Sequence, residues 1–207
     1  MTSPRVRIAA AGALVLAAAL SIPAASATAG PSAPPGRSAQ VPIQLLSFND
    51  YHGHLEATDP ALPRKWDPSQ SPTGGVEYLS ATIKALRAEV GDSNSLTVAA
   101  GDLIGGSPFL SGMFHDEPSV ESLETLGLDV SSVGNHEFDE GSAELLRMQH
   151  GGCHPEDGCY FPEQPYDGAS FTWLAANVVK KSNGKPLLAP VAVRAVKGVQ
   201  IGFIGMT

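Results

Sequence analysis

Three short polar clusters each follow a run of apolar residues. The clusters are Asp50-Tyr51-His52-Gly53-His54, Gly101-Asp102 and Gly134-Asn135-His136-Glu137-Phe138-Asp139. Each offers oxygen or imidazole ligands at the point where a buried strand would leave a core. Carboxylate, amide and imidazole groups are the ligands that divalent metals such as Mn, Zn and Fe(II) take in proteins. Together the clusters indicate part of a two-metal site of the kind that hydrolyses phosphate esters.

Four of these residues are the predicted metal ligands. Asp50 and His52 are two positions apart, so in an extended segment their side chains face the same way. Asp102 follows a glycine, which allows close backbone approach and leaves a carboxylate that could bridge two ions. Asn135 offers a neutral carbonyl oxygen, a weaker ligand that hard or borderline ions accept.

His136 and Asp139 are the predicted catalytic pair. Asp139 lies three residues after His136 in a predicted turn. An aspartate at that distance can hold an imidazole in one tautomer and keep it protonated. His136 would then stabilise the transferring phosphoryl group or protonate the leaving oxygen.

The apolar pattern predicts the elements that must position these residues. Val76, Leu79, Ile83, Leu86 and Val90 form the stripe of an amphipathic helix. Further helices are predicted over 118–126 and 142–148, and strands over 43–48, 96–100, 130–133, 175–179, 191–196 and 199–204. Strands alternating with helices predict an α/β layered fold, in which ligands gather at the carboxyl ends of strands. All three clusters could therefore converge on one edge of a sheet.

The first residues resemble an export signal. Arg5 and Arg7 precede an apolar run of 13 residues over 8–20, and small residues follow it. This pattern predicts a Sec-type signal peptide over 1–27, followed by a flexible linker over 28–42 rich in Ala, Pro, Ser and Gly. The run is shorter than the roughly 20 residues that span a bilayer, so no stable membrane span is expected. An uncleaved membrane anchor is the alternative.

The chain is acidic. It carries 13 basic and 21 acidic residues, for a net charge of −8. Cleavage after Ala27 would leave 180 residues and remove Arg5 and Arg7, so the net charge becomes 11 − 21 = −10. Such a chain is a poor candidate for binding nucleic acid or an anionic membrane surface. If its substrate is a phosphate, metal cations must supply the local attraction.

Cys153 and Cys159 are the only cysteines. They lie in a Gly/Pro-rich stretch, and in an oxidising compartment two close cysteines in a loop most simply form a disulfide. The alternative is a metal site that includes His154. Closed zinc sites need four ligands, however, and this stretch offers three with unfamiliar spacing.

The three clusters, extended to residues 46–55, 101–108 and 134–139, closely resemble the first three motifs of the secreted 5′-nucleotidase family, which belongs to the calcineurin-like metallophosphoesterases. The resemblance runs from about residue 43 to 207. It implies a catalytic domain in which a central β-sandwich is flanked by helices. It also implies two divalent ions, drawn from Mn, Zn, Fe, Co or Mg.

The resemblance assigns roles to individual residues. Asp50 and His52 would bind the first metal, Asp102 would bridge the two, and Asn135 would bind the second. His136 and Asp139 match the family's catalytic pair. The implied function is a secreted or envelope 5′-nucleotidase that releases phosphate from nucleoside monophosphates in nucleotide catabolism. Its partner would be a small nucleotide or phosphate ester.

The chain departs from the family pattern after its third motif. The family has later histidines, including a Gly-His-x-His motif, and a C-terminal domain that binds the nucleoside. No Gly-His-x-His follows Asn135. We therefore expect residues 43–207 to be the amino-terminal part of a catalytic domain, incomplete at its carboxyl end and inactive by itself.

Several alternatives remain open at this point. His52-Gly53-His54 also matches the His-x-His pair of metal-dependent amidohydrolases, although that scheme leaves Asp50 and the Gly-Asn-His-Glu cluster without a role. A secreted binding or surface protein could keep the same fold without turnover. Related enzymes act on cyclic nucleotides, nucleotide sugars or thiosulfate esters.

Export is directly testable. Because the signal pattern precedes a small-residue exit, the exported protein should begin near Thr28 or Gly30. Mass spectrometry of the protein recovered from culture medium or cell envelope measures this terminus. Recovery of the chain with Met1 intact would contradict the prediction.

Overall fold

A computed structural model describes residues 40–58 and 73–207. The strands are β1 (Gln44–Phe48), β2 (Ser95–Ala99), β3 (Val130–Ser132), β4 (Thr172–Leu174), β5 (Val191–Val196) and β6 (Val199–Ile204). The helices are α1 (Val76–Val90), α2 (Phe109–Gly112), α3 (Glu117–Leu126) and α4 (Gly141–His150), with short 3-10 turns at Asp92–Asn94 and His136–Phe138. The predicted signal peptide over 1–27 and all of the linker except residues 40–42 lie outside the described residues.

Four strands form a parallel sheet in the order β1-β2-β3-β4. The chain passes through α1 between β1 and β2, through α2 and α3 between β2 and β3, and through α4 between β3 and β4. Parallel strands joined by helices have their carboxyl ends at one edge. The three polar clusters follow β1, β2 and β3, so the topology brings them to that edge.

The helices bury their apolar stripes against one face of this sheet. Ile83 of α1, Leu123 of α3 and Leu145 of α4 join one hydrophobic cluster with Trp173 of β4. The predicted α1 stripe is confirmed: the helix follows Gly75 and ends at Val90, just before Gly91. Glycines at these boundaries supply the positive φ that other residues adopt at a cost.

The other face of the sheet packs against a hairpin. Strands β5 and β6 pair antiparallel, with Val191 opposite Ile204. Ala192 of the hairpin packs with Val130 and Leu174, which lie on strands β3 and β4. A parallel sheet covered by helices on one face and a hairpin on the other confirms the predicted layered α/β class.

One predicted strand is displaced. We expected a strand over 175–179, but β4 is Thr172–Leu174 and pairs with β3. The side chain of Trp173 is fully buried, so the sheet uses the residues that place this ring in the core. The following residues instead form single bridges, such as the one between Val179 and Pro186.

The disulfide prediction is confirmed. Cys153 and Cys159 are bonded, with their Cα atoms 4.4 Å apart. Among residues 40–58 and 73–207, no helix combines the length and the apolar character that a membrane crossing requires.

A buried ion-pair cluster ties α3 to α4. The Arg147 guanidinium donates to both carboxylate oxygens of Glu144 at 2.9 Å and to Glu117 at 2.5 Å. It also donates to the carbonyl of Gly152 at 2.8 Å. All three charged side chains are about nine-tenths buried.

Replacing Arg147 should therefore be costly. Arg147→Met would leave two carboxylates buried without their cation, and breaking a buried pair in this way costs about 3 kcal/mol. Thermal or denaturant unfolding measures the loss. Lys84→Met, which removes a positive charge from an exposed position on α1, is the matched control. Equal stability of the two variants would show that the cluster contributes little.

Candidate metal centre and catalytic pair

The loops that follow β1 and β2 run side by side beyond the ends of their strands. The N–H of Asp50 donates to the carbonyl of Gly101 at 3.1 Å, and the N–H of His52 donates to that of Asp102, also at 3.1 Å. The bonding of the parallel pair therefore continues into the polar clusters. As a result, the backbone of the sheet fixes the spacing between the first and second clusters.

The backbone at three predicted ligands lies in the left-handed region. The φ angles are 55° at Asp50, 45° at His52 and 52° at Asp102. This conformation is uncommon for residues other than glycine and costs on the order of 1–3 kcal/mol where it persists. Such strain clusters at active sites and ligand clamps, so these three residues mark the sheet edge as a candidate ligand site.

Glu137 holds the second and third clusters together. Its buried carboxylate accepts the N–H groups of Asp102 at 3.0 Å, Leu103 at 2.8 Å and Gly134 at 2.6 Å. Burial raises the pKa of Glu137, and these hydrogen bonds oppose that rise. Sequence reasoning gave Glu137 no role. Its position inside the third cluster was the only signal that could have found it.

Asp102 is also bonded to the third cluster. Its Oδ1 accepts the N–H of His136 at 2.9 Å. The two glycines beside this contact are required by space: a Cβ on Gly134 would overlap the Asp102 carboxylate, and a Cβ on Gly101 would overlap the backbone of Gly134. The Gly-Asp and Gly-Asn pairs in the sequence therefore reflect close packing of two loops.

His136 and Asp139 form the expected hydrogen-bonded pair. Nδ1 of His136 donates to Oδ2 of Asp139 at 2.8 Å. The hydrogen bond to Asp139 raises the pKa of His136, although partial desolvation acts in the opposite direction. The His136 side chain is 38% exposed, so its ring can reach a ligand from solvent.

The ring of His52 is oriented by the backbone. Its Nδ1 lies 2.7 Å from the carbonyl oxygen of Gly105. A carbonyl only accepts, so Nδ1 donates this hydrogen bond and Nε2 is the ring nitrogen left to face a ligand. Nε2 lies 3.8 Å from a carboxylate oxygen of Asp50. The His52 ring also meets the His136 ring edge-on, with centroids 4.8 Å apart.

The structure brings most of the predicted site residues together. His52, Asp102 and His136 each offer a ligand atom, and these atoms lie within 4.8 Å of one another. Asp50 adjoins this group through His52, and Asp139 through His136. Asn135 precedes His136 in the same loop and is exposed. The grouping includes His136, which we expected to act on substrate and not on metal.

His54 stands apart from this group. In the part of the chain that the structure describes, the sets of side chains able to share a metal ion include His52 but not His54. The His-x-His arrangement of the amidohydrolases therefore receives no support from the geometry. Imidazole and carboxylate donors at this spacing fit a borderline divalent ion.

Comparison with known proteins places this fold in a class. No protein-family model matches the chain. The chain aligns over 79% of its length with the structure of a 5′-nucleotidase precursor from Thermus thermophilus. The TM-score is 0.59, the sequence identity is 28%, and the alignment covers 28% of that structure. The calcineurin-like phosphoesterase YfkN from Bacillus subtilis shares the fold over 79% of this chain and 48% of its own, with a TM-score of 0.53 and 22% identity. The fold is that of the calcineurin-like phosphoesterases.

Curated relatives add sequence similarity over the same region. The chain is 42% identical to Endonuclease YhcR of Bacillus subtilis, 38% to Cell wall protein Lmo0130 of Listeria monocytogenes and 30% to a probable 5′-nucleotidase of Treponema pallidum. Each match covers 80–82% of this chain but only 13%, 22% and 26% of the relative. An uncharacterized Acinetobacter calcoaceticus protein is 40% identical over 77% of this chain and 80% of its own length.

Over about four-fifths of its length the chain is similar to proteins named 5′-nucleotidase, and the match corresponds to an amino-terminal part of their catalytic domain. It spans about a quarter or less of the functionally named relatives. The resemblance inferred from the three motifs is thereby confirmed.

Removing the Glu137 carboxylate should weaken metal binding at the site and lower the free energy of unfolding. Glu137→Leu would leave three N–H groups without their acceptor, at a cost of about 3 kcal/mol. Urea unfolding measures the stability, and zinc titration should show weaker binding because Asp102 is no longer held. Glu163→Leu, at an exposed position, is the control. Unchanged stability in Glu137→Leu would refute the central role of this carboxylate.

Proposed function

We propose that the chain supplies part of a two-metal phosphoester hydrolase, and most specifically a 5′-nucleotidase acting on nucleoside monophosphates. The observation that carries the proposal is the convergence of His52, Asp102 and His136 at the carboxyl edge of the parallel sheet. A hydrolase of this type needs metal ligands beside an acid that faces substrate. His52 and Asp102 were predicted as metal ligands, and His136 was predicted as the acid that faces substrate.

Asp50, His52, Asp102 and Asn135 would hold the two divalent ions. Asp102 suits a bridging position, because its carboxylate lies between the first and third clusters and one of its oxygens is already oriented by the N–H of His136. When bound, the ions would supply an activated water and positive charge against the phosphate. Mn, Zn, Fe, Co and Mg all fit a donor set of mixed oxygen and imidazole groups.

His136 would act on the phosphoryl group. Asp139 fixes its tautomer by taking the Nδ1 hydrogen and holds its pKa above the ordinary value, so the ring is more fully cationic near neutral pH. The second ring nitrogen can then donate to a phosphoryl oxygen or to the leaving oxygen. Asp139 acts through His136 and is a positioning residue.

The substrate is proposed from the relatives. Two proteins that match over about four-fifths of the chain are named as 5′-nucleotidases. The acidic balance of the chain disfavours a long polyanion and is compatible with a small one held by metal ions.

Phosphodiester cleavage in nucleic acid is the second candidate. It is favoured by one observation, the 42% identity to a protein named an endonuclease. This name runs against the expectation that nucleic acid is not a partner. The same metal and His136 chemistry would serve either bond, so the choice between them depends on the substrate and not on the site.

We also propose that the protein is exported to the cell envelope or the medium. The disulfide between Cys153 and Cys159 fits an oxidising compartment. A relative named as a cell wall protein is 38% identical over most of this chain. The signal peptide itself is proposed from the sequence alone.

Substrate hydrolysis by the product of the complete reading frame that contains this chain tests the function. With added Mn²⁺ or Zn²⁺, it should release phosphate from AMP, and His136→Ala should lower kcat by about 100-fold or more. His150→Ala, which removes an exposed histidine from the end of α4, should leave kcat unchanged. The 207-residue chain assayed alone should show no phosphate release above background.

The controls separate the candidates. Cleavage of plasmid DNA without release of phosphate from AMP would favour the endonuclease. Hydrolysis restricted to cyclic nucleotides, nucleotide sugars or thiosulfate esters would move the substrate to a related class. No hydrolysis of any of these, with metal bound, would favour a non-catalytic binding protein. Full activity in His136→Ala would refute the assigned chemistry.

A further inference from the structure

Asp116 is a buried carboxylate with no place among the proposed metal ligands or in the catalytic pair. It directly precedes α3 and is 6% exposed. An aspartate at this position commonly accepts an N–H from the first turn of the helix that it precedes. Among the residues that the structure describes, however, no N–H of the first turn of α3 donates to this side chain. The carboxylate of Asp116 therefore serves another part of the fold.

The carboxylate is directed toward the loop after β2. Its Oδ2 accepts the N–H of Gly105 at 2.9 Å, and its Oδ1 accepts the hydroxyl of Ser111 at 2.6 Å. The Ser111 hydroxyl lies 2.6 Å from that of Ser119, and both serines are fully buried. Each oxygen of the carboxylate thus has a donor, which offsets the cost of removing its charge from water. Because the serines belong to α2 and α3, Asp116 is fixed relative to these helices.

Gly105 and Gly106 form a segment whose conformation local preference does not fix. Their φ angles are 83° and 58°. Successive glycines adopt many conformations at little cost, so the orientation of their peptide groups depends on contacts from outside the segment. A side chain cannot supply that contact at Gly105, because a Cβ there would overlap the backbone carbonyl of His136. The hydrogen bond to Asp116 supplies it instead.

This glycine segment lies against both histidines of the site. The carbonyl of Gly105 accepts the Nδ1 hydrogen of His52 at 2.7 Å. A Cβ on Gly106 would lie 3.6 Å from Nδ1 of His136 and 3.7 Å from Nδ1 of His52. The bond to Asp116 fixes the N–H side of Gly105, and the contact with His136 limits its movement. The carbonyl of Gly105 therefore stays directed at the His52 ring, and Nε2 of that ring stays directed at the other ligand atoms.

We propose that Asp116 is a positioning residue for His52 and acts through the backbone of Gly105. The proposal rests on the proposed function in one respect, since His52 is taken as a metal ligand. Partners of metal-binding histidines fix the tautomer and the ring orientation, and their loss lowers metal affinity by about 10- to 100-fold. Asp116 acts one step further out, because it holds the backbone group that holds the ring.

The zinc affinity of the product of the complete reading frame that contains this chain tests the proposal. Isothermal titration would compare the parent protein with Asp116→Leu, Asp116→Asn and Asp129→Leu. Asp116→Leu removes the acceptor of the Gly105 N–H and should bind one zinc ion about tenfold more weakly or worse. Asp116→Asn keeps an acceptor oxygen for that N–H, so its zinc affinity should be close to that of the parent.

Asp129→Leu is the matched control. Asp129 also accepts a backbone N–H, that of Thr97 at 2.8 Å. It precedes β3, however, and therefore lies at the opposite end of that strand from the site. This variant should lower the Tm and keep the parental zinc affinity. Parental affinity in Asp116→Leu, or an equal loss of affinity in the two leucine variants, would overturn the proposal.

Imidazole NMR of the metal-free protein gives a second measurement. With isotope-labelled histidine, the signal that is absent from His52→Ala identifies His52. In the parent protein and in Asp116→Asn it should show a single tautomer with the hydrogen on Nδ1. Asp116→Ala, a smaller replacement for use if Asp116→Leu does not fold, should show a mixture of tautomers. A mixture in the parent, or a single Nδ1 tautomer in Asp116→Ala, would overturn the proposal.

Phosphate release separates this proposal from the proposed function. A parent protein that binds zinc but releases no phosphate from AMP would count against the proposed function alone. Weaker zinc binding in Asp116→Leu, restored in Asp116→Asn, would still support the positioning role. The reverse result, phosphate release by the parent with parental zinc affinity in Asp116→Leu, would keep the function and remove this role from Asp116.

Discussion

The carboxylate of Glu137 is the contact on which the site depends. A buried carboxylate is costly unless it is hydrogen-bonded, and backbone N–H groups at the ends of strands are costly if they find no acceptor. Glu137 meets both needs at once by accepting N–H groups from the loop after β2 and from the loop after β3. The relative position of Asp102 and His136 is therefore set by backbone held to one buried group. No direct contact between the side chains of Asp102 and His136 is needed to set this position.

This constraint explains the unusual backbone around it. Asp50, His52 and Asp102 adopt positive φ angles that local preference disfavours. Hydrogen bonds between the first two loops and the bonds to Glu137 stabilise a conformation that each segment would avoid alone. Gly101 and Gly134 are needed because the loops approach so closely that a side chain at either position would overlap its neighbour. The strained backbone of Asp50, His52 and Asp102 and the glycines beside them thus have one cause, the close approach of neighbouring loops at the sheet edge.

The sequence predicted those features that are local or that follow from topology. The stripe of α1 and the apolar runs of β1, β2, β5 and β6 are periodic, so their bounds were found to within one or two residues. The displaced β4 shows the limit of prediction from local pattern. The run over 175–179 is as apolar as a strand should be, but the strand forms over 172–174 because this places Trp173 in the core. The pair His136 and Asp139 was predictable because three residues separate them. The approach of His154 to His115, 39 positions away, depends on how α4 and the disulfide loop pack, and no sequence spacing encodes it.

His136 and His115 are linked through adjacent residues. Asp139 bonds to His136, and Glu140 bonds to His115. Both carboxylates lie in the short segment between the 3-10 turn at His136–Phe138 and the start of α4, so neither can move far without disturbing the other. The links to the rest of the fold differ. His136 is held through the sheet edge, by Asp102 and Glu137. His115 instead contacts a loop closed by a disulfide. Any change that alters the disulfide loop would therefore reach the His136–Asp139 pair through Glu140, while the bonds of Glu137 would keep Asp102 in place.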